Sequence, residues 1–219
     1  MPFDDHWAIK FTVILVVVFI LQMMFPVVTD LFVLDASELL ERPWGIITAI
    51  FLHASLEHIL FNGFALVLFG SILESIIGSR KFVLYFFITG IIAGVIFILG
   101  IPIIQSVQGA TPTSALGASG AIFGILGILT VLRPNLVVYL AFIPMPMWVA
   151  AIMWAFLDFF GIFIPSNVAN FAHLGGLFSG LLIGFYLNDW KINIGNKKSD
   201  PNVLSESEIS KWEKEWMQP

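Results

Sequence analysis

The chain has 219 residues, of which 58% are hydrophobic and only 11% are charged, and its formal net charge is −5. A soluble domain usually carries charge on about a quarter of its residues, so the composition excludes an ordinary soluble protein. The absence of cysteine excludes disulfides, thiolate metal sites and cysteine nucleophiles. We find no basic surface typical of nucleic-acid binding, and we expect no cofactor and no metal.

Six apolar segments are long enough or apolar enough to be transmembrane helices. A helix needs about 20 apolar residues to cross the hydrocarbon core, and the uncharged stretch 82–132 can hold two such helices. The segment after Lys10 lacks a small-residue cleavage site and is predicted to be a retained first span. The predicted spans, with approximate edges, are 8–28, 56–77, 82–101, 119–132, 147–164 and 168–188.

The connections between these spans are also partly apolar. Irregular structure is predicted for 30–54, for 102–118 and for the proline-containing segment before the fifth span. The predicted fold is an all-α polytopic membrane protein, with a six-helix domain over 1–190 and a tail over 191–219. In the tail, the spacing of Ile209, Trp212 and Trp216 fits a short helix at the membrane interface, and a disordered tail is the alternative.

Lysine and arginine predict the orientation of the bundle. With the N-terminus in the cytoplasm, nine of the ten basic residues lie inside, including Lys10, Arg80, Lys81 and Arg133, and only Arg42 lies outside. Cytoplasmic loops carry the excess of basic residues in membrane proteins. Both termini are therefore predicted to be cytoplasmic.

A serine stands where the fourth span begins, in the motif Gly117-Ala118-Ser119-Gly120. A serine hydroxyl becomes a nucleophile when a neighbouring base takes its proton, and the free N–H groups of a helix N-terminus suit a developing oxyanion. The alternative is that the glycines are only close-packing positions in a membrane helix, namely Gly117, Gly120, Gly124 and Gly127.

A histidine lies on a glycine-lined face of the sixth span. Gly176, Gly180 and Gly184 recur every four residues, and His173 precedes Gly176 by three, so all four share one helical face. Glycines on that face would let the fourth span approach closely, which brings the imidazole within reach of Ser119. A hydrogen-bonded packing histidine is the alternative.

The second span begins with two polar side chains on one face. His58 and Asn62 are four residues apart, and both can donate a hydrogen bond. Such donors can complete an oxyanion hole, although an interhelical hydrogen bond that only holds the bundle together is the alternative.

Together these motifs resemble the rhomboid family of intramembrane serine proteases. Order, spacing and topology agree over about residues 44–187. The segments that carry the resemblance are Phe51-Leu52-His53-Ala54 with His58 and Asn62, then Gly70, Glu74, Gly78 and Phe82, then Gly117-Ala118-Ser119-Gly120-Ala121, and finally Ala172-His173-Leu174-Gly175-Gly176.

The resemblance implies a serine endopeptidase with a Ser119–His173 dyad that cuts membrane-protein substrates. It also implies oxyanion stabilisation by the Ser119 N–H, His58 and Asn62, with Gly117 and Gly120 as supporting residues.

Two more supporting residues follow from the resemblance. Phe123 is expected to stack on the His173 ring, and His53 to lie near the water-accessible part of the site. The implied substrates are single-span or multi-span proteins in the lipid bilayer of a prokaryotic cell membrane, and no oligomer is implied.

Two features depart from the family pattern or extend it. Many members carry Trp-Arg in the first loop where this chain has Trp44-Gly45, which puts the anchoring of that loop in question, with Arg42 as a candidate substitute. Asp158 in the fifth span could complete a triad with Ser119 and His173. The resemblance favours a dyad, with a structural role or a hydrated site for Asp158.

Two other functions are left open by the sequence. A catalytically silent rhomboid-like protein that binds membrane clients would typically lack the serine or the histidine, and both are present here. A transporter or channel would require polar groups across the full bilayer, whereas here they are predicted to lie in one leaflet.

Overall fold

The computed structural model describes residues 6–109, 112–140, 142–165, 168–193, 207–208 and 210–211. The tail residues Ile209, Trp212 and Trp216, predicted to form an interfacial helix, lie outside the described residues. The α-helices are α1 (Trp7–Met24), α2 (Val27–Phe32), α3 (Gly45–Thr48), α4 (Leu56–Ala65), α5 (Ser71–Ile77), α6 (Ser79–Gln108), α7 (Ser119–Leu132), α8 (Met147–Gly161) and α9 (Asn170–Asn193). The strands are β1 (Leu34–Asp35), β2 (Ser114–Ala115), β3 (Val137–Leu140) and β4 (Ile143–Pro146).

Apolar helices form the body of the protein, as the sequence predicted. Four helical segments are long and apolar enough to cross a membrane, namely α1, the continuous segment Leu56–Ile77, α6 and α9 as far as Asn188. Helices α7 and α8 are apolar but shorter, at 14 and 15 residues. The predicted all-α membrane bundle is confirmed, and the count of six crossings stays a prediction.

A proline is involved at two of the helix ends that differ from the prediction. Helix α1 ends at Met24, short of the predicted residue 28, because Pro26 lacks an N–H and disfavours a helical conformation in the residue before it. Helix α6 instead passes Pro102 and ends at Gln108, so the irregular connection predicted from residue 102 is wrong over its first part. Proline is tolerated inside membrane helices when the surroundings satisfy the freed backbone groups.

The second span contains a π-helical segment at Leu66–Gly70, where a uniform helix was predicted. Single π turns inside α-helices are rare and often occur near functional sites. Just beyond it, the carboxylate of Glu74 accepts hydrogen bonds from the Trp7 and Ala8 N–H groups, each at 3.0 Å, and from the Ser79 hydroxyl at 2.6 Å. One buried acid therefore ties α5 to the first turns of α1 and α6.

The connection between α1 and α4 is anchored through the C-terminal end of α2. The last carbonyls of a helix have no partner within the helix and need one from elsewhere. Three side chains of the connection supply it: Arg42 donates to the Asp30 carbonyl, Trp44 Nε1–H donates to Leu31 at 2.9 Å, and the Thr48 hydroxyl donates to Phe32 at 2.7 Å.

Gly45, which departs from the family pattern in the resemblance, fits this arrangement. A Cβ at Gly45 would lie 2.6 Å from the Val33 carbonyl oxygen, so no side chain fits there without moving the backbone. Arg42 is one of the anchors of the connection in this chain.

Strand pairing joins this connection to the segment that leads into α7. Strand β1 pairs antiparallel with β2, with Leu34 opposite Ala115. The Gly117 N–H also donates to the Ala49 carbonyl at 2.8 Å. The chain is therefore held at two points just before Ser119. Strands β3 and β4 form a hairpin before α8.

Helix α7 lies at the centre of the bundle and is packed against α6 and α9 through small residues. A Cβ at Gly176 would lie 2.0 Å from the Gly120 carbonyl oxygen, and one at Gly180 would lie 2.1 Å from that of Gly124. On the other side, a Cβ at Gly124 would lie 2.2 Å from the Thr89 side chain. The predicted close approach of α7 and α9 along the glycine face is confirmed.

Candidate active site

Ser119 is the first residue of α7, which gives it two chemical advantages. Its backbone N–H belongs to the first turn, where no intrahelical carbonyl is available as a partner. The dipole of the helix also favours negative charge at this end. Ser119 therefore combines a hydroxyl with a backbone N–H that has no acceptor within its own helix.

His173 contacts this hydroxyl directly. Its Nε2 lies 2.8 Å from Ser119 Oγ, a normal hydrogen-bond distance. The two residues are 54 positions apart in sequence, and the glycine contact between α7 and α9 brings them together. This is the arrangement of a nucleophile and its general base.

Phe123 and His173 form a stacked pair of rings. Their centroids are 4.3 Å apart and their planes differ by 6°. Phe123 lies one turn into α7 from Ser119, so the same helix carries both the hydroxyl and the ring that supports the imidazole. The predicted stacking contact is present.

The other ring nitrogen of His173 contacts Asp158 on α8. Nδ1 lies 2.9 Å from Asp158 Oδ1, and Asp158 is buried with 7% of its surface exposed. The sequence identified Asp158 as a candidate third residue but favoured a structural role or a hydrated site. In the structure, Asp158 contacts His173, which in turn contacts Ser119.

His58 faces the serine across the Gly117 turn. Gly117 has φ +123°, a left-handed conformation that only glycine adopts readily, and a Cβ there would lie 2.8 Å from His58 Nε2. His58 Nδ1 accepts from the Ala54 N–H at 3.4 Å, so a neutral ring carries its proton on Nε2. His58 therefore presents an N–H donor toward the turn that precedes Ser119.

Asn62 is buried one turn below His58 on the same face of α4. Its Nδ2 donates to the His58 carbonyl at 2.9 Å. An amide group has two N–H donors, so a second one can serve a ligand in the cavity that both residues line.

His53 lies behind His58 and does not line this cavity. The two rings meet edge to face, with centroids 4.9 Å apart, and the His53 backbone N–H donates to Gln22 Oε1 at 2.9 Å. Among the residues that the structure describes, neither ring nitrogen of His53 has a hydrogen-bond partner. Burial, together with the neighbouring His58, lowers the pKa of His53 to about 4.

A cavity of about 1480 Å³ contains Ser119 and His173 in its wall. Among the polar and aromatic residues of this wall that sequence reasoning missed are Trp154 on α8 and Asn170 on α9. A signal for both existed in helical spacing, because Trp154 is four residues before Asp158 and Asn170 is three before His173. In the described part of the chain, no three His, Cys, Asp or Glu side chains are grouped so that they could hold a metal ion.

Comparison with known proteins identifies the family of this chain. The Rhomboid domain model matches residues 40–190, which include every residue of this site. The chain belongs to the rhomboid family. It is accordingly a multi-pass membrane protein, and the rhomboid segment begins after α1 and α2 and extends into α9.

Several rhomboid relatives are identical to this chain at about a third of the aligned positions. "RHOMBOID-like protein 6, mitochondrial" of Arabidopsis thaliana is 33% identical over 67% of this chain and 44% of its own length. "Rhomboid protein 1, mitochondrial" of Saccharomyces cerevisiae is 33% identical over 66% of this chain and 42% of its own length. "Rhomboid protease GluP" of Bacillus subtilis is 36% identical over 63% of this chain and 24% of its own length. The chain thus spans less than half the length of each of these three relatives.

Proposed function

We propose that this rhomboid protein is an intramembrane serine endopeptidase that uses Ser119 as nucleophile and His173 as general base. The observation that carries the proposal is the 2.8 Å contact between His173 Nε2 and Ser119 Oγ in the wall of a large cavity. The name of the Bacillus subtilis relative, a rhomboid protease, supports the same activity.

The length of α7 supports a reaction inside the membrane. Its 14 residues span about 21 Å, less than the roughly 30 Å of a hydrocarbon core. Arg133 follows its C-terminal end, and a charged side chain is kept out of the core. Ser119 at the other end would then lie below the opposite membrane surface. Irregular backbone such as the Gly117 turn is tolerated at that depth where it lines a hydrated cavity.

The distribution of basic residues supports an orientation with both termini in the cytoplasm. Residues 1–190 would form the membrane domain, and residues 191–219 a cytoplasmic tail. With six crossings, the N-terminal end of α7 and the cavity face the outside of the cell membrane.

The reaction we propose follows general acid–base catalysis. His173 Nε2 takes the Ser119 hydroxyl proton while Oγ attacks the substrate carbonyl carbon. His173 then gives that proton to the leaving amine as the C–N bond breaks, which leaves an acyl-enzyme on Ser119. Water attacks the acyl-enzyme with His173 again as base, and the acid product and free serine are released.

Three donors are available for the oxyanion of the tetrahedral intermediates. These are the Ser119 backbone N–H, His58 Nε2–H and the second N–H of the Asn62 amide. Donors fixed in advance at the point where negative charge develops usually supply a large part of the rate enhancement. The cavity between α4, α7, α8 and α9 offers the space for the substrate carbonyl among them.

The proposed substrates are segments of membrane proteins, either single-span or multi-span. The cavity wall combines the dyad with exposed aromatic side chains of α4, including Phe61 and Phe64, which suit an apolar segment that leaves the bilayer. Because the amides of a helix are engaged in their own hydrogen bonds, the substrate has to unwind locally before its carbonyl reaches Ser119.

The test is cleavage of single-span model substrates by the purified protein in liposomes, with the products identified by mass spectrometry. We expect the wild type to release two fragments and Ser119→Ala to release none, while both insert and fold equally. If Ser119→Ala cuts at the wild-type rate, or if neither protein cuts any substrate of a varied panel, the proposal is wrong.

A further inference from the structure

We infer that Asp158 is a third working residue of this site, which positions His173 and fixes its tautomer, so that the chain uses Asp158, His173 and Ser119 in series. This inference rests on the proposed function. It differs from the dyad that the resemblance to rhomboids implied, and it assigns a role to a carboxylate that the mechanism above does not use.

The location of Asp158 is unusual for a membrane helix. It is the only ionisable residue of α8, and it is buried rather than directed to lipid. An ionisable side chain inside a span is costly and is usually retained for a function. Its neighbour Leu157, in contrast, is 59% exposed, as expected for a lipid-facing position. The helix therefore turns its one acid toward His173.

The two contacts of the His173 ring determine where its proton must be. To accept the Ser119 proton, Nε2 has to be unprotonated, so the proton of the neutral ring must be on Nδ1. Asp158 Oδ1, 2.9 Å from Nδ1, is a hydrogen-bond acceptor at the required place. The carboxylate thus stabilises the one tautomer that can act as a base on Ser119.

The carboxylate also provides an orientation that the aromatic stacking cannot. Phe123 lies parallel to the imidazole, so it fixes the plane of the ring. A half turn of the ring about the Cβ–Cγ bond would keep the ring plane and the stacking but would exchange the positions of nitrogen and carbon atoms. Only an in-plane partner distinguishes the two orientations, and Asp158 is such a partner for Nδ1.

Asp158 acts through His173 and does not contact the substrate. His173 is among the residues that line the cavity, whereas Asp158 is absent from the described part of that lining. The imidazole gains a positive charge when it takes the serine proton, and a carboxylate next to it stabilises that charge in the transition state. Its effect should consequently be on turnover rather than on substrate binding.

A purely structural role makes a different prediction, which allows a test. If Asp158 only held α8 against α9, its loss would lower the melting temperature and leave the chemistry of the folded fraction unchanged. If it positions His173, the isosteric Asp158→Asn variant should fold and bind substrate but turn over slowly, because an amide can stabilise the wrong tautomer.

The experiment compares kcat, KM and melting temperature for the full-length protein and Asp158→Asn in liposomes or detergent. We expect kcat to fall by at least about tenfold, up to the about 10⁴-fold that a triad acid contributes in a soluble serine protease, with KM changed by less than about threefold. Leu157→Ala, on the lipid-facing side of the same turn, is the matched control and should keep the wild-type kcat. Equal kcat values for Asp158→Asn and wild type would overturn the inference.

A second measurement on the wild type covers the case in which Asp158→Asn does not fold. Histidine labelled with ¹⁵N shows which ring nitrogen carries the proton, and His173→Ala assigns the signals. We expect the neutral ring of His173 to be the Nδ1–H tautomer. A predominant Nε2–H tautomer would contradict the inference. Both outcomes are separable from failure of the proposed function, in which the wild type itself would cleave nothing.

Discussion

His173 is positioned by a backbone contact between helices on one side and by a side-chain contact on the other. On the side of α7, helix α9 is in backbone contact, since Gly176 and Gly180 leave no room for even a Cβ against the carbonyls of Gly120 and Gly124. On the side of α8, His173 Nδ1–H donates a side-chain hydrogen bond to the Asp158 carboxylate, next to a large cavity. The first contact sets the distance from His173 to Ser119, and the second sets the orientation of the imidazole.

The difference shows how a membrane bundle can be rigid and accessible at once. Helices in lipid gain little from the hydrophobic effect, so close backbone packing between small residues contributes much of their association. Helix α7 uses that packing against α6 and α9 and is buried along most of its length. Helix α8 buries only Met147, Ala150, Ala151 and Asp158, and the cavity opens on its side of the site.

The largest effect is expected from removing the base itself. His173→Ala should lower kcat by about 10⁴-fold or more, and the double variant Ser119→Ala/His173→Ala should be no slower than either single variant, because the two residues act as one unit. Cleavage of a single-span substrate in liposomes measures all three. Additive losses would mean that the two residues act independently. The contact between α7 and α9 would then not create a catalytic pair.

The next effect tests the rigid side of the comparison. In Gly180→Val, the new Cβ would lie 2.1 Å from the Gly124 carbonyl oxygen, so the backbones must separate. We expect a loss of stability of about 3 kcal/mol, at the upper end of the cost of overpacking, and at least about 10²-fold lower kcat from a misplaced His173.

A matched control for that variant lies on the other face of the same helix. Leu182 on α9 is 71% exposed, so Leu182→Phe adds volume toward lipid and should leave melting temperature and kcat near the wild-type values. If Gly180→Val is as stable and as active as Leu182→Phe, the backbone contact does not determine the Ser119–His173 distance.

A smaller effect is expected from the oxyanion donors. Asn62→Ala and His58→Ala should each lower kcat by about 10²- to 10³-fold, equivalent to about 2.7–4 kcal/mol, and change KM less. Each variant should retain measurable activity because the Ser119 N–H remains. Unchanged turnover in both variants would assign His58 and Asn62 to bundle packing alone.

The smallest effect concerns His53, which is buried beside the site. Its pKa is lowered from 6.5 to about 4. Between these two pH values, His53 is protonated in the unfolded chain but neutral in the folded protein. Stability contributed by the neutral ring is therefore lost as the pH falls below about 6.5, by about 2 kcal/mol between pH 7 and pH 5. His53→Leu should reduce the fall in melting temperature over this range.

The control for His53→Leu is Leu21→Ala, a non-titratable and exposed position on α1, which should keep the wild-type pH dependence. A His53→Leu protein whose melting temperature falls as steeply as that of the wild type between pH 7 and pH 5 would show that His53 becomes protonated without cost.

Much of the site could be predicted because its residues are encoded by local spacing. His58 and Asn62 are one helical turn apart, and His173 is in register with Gly176 and Gly180, so each pair shares a face whatever the rest of the fold does. The glycine face also indicated which helices touch, since small residues mark close approach in membranes.

The rest depended on contacts that local spacing does not encode. The rotation of α8 about its axis decides whether Asp158 faces lipid or His173, and an apolar helix without a glycine face gives no signal for it. The continuation of α6 past Pro102 and the π-helical segment Leu66–Gly70 likewise depend on how neighbouring helices satisfy the backbone. For the same reason, the sequence could not decide whether Arg42 anchors the connection between α1 and α4.

The most direct test of the account is the reactivity of Ser119 toward a fluorophosphonate, measured as a mass increase of the intact protein and mapped to a peptide. The account predicts one adduct, on Ser119, in the wild type, no adduct in Ser119→Ala, and strongly slowed labelling in His173→Ala. Labelling on a different residue, or equally fast labelling of Ser119 without His173, would contradict the claim that these two residues form the catalytic pair.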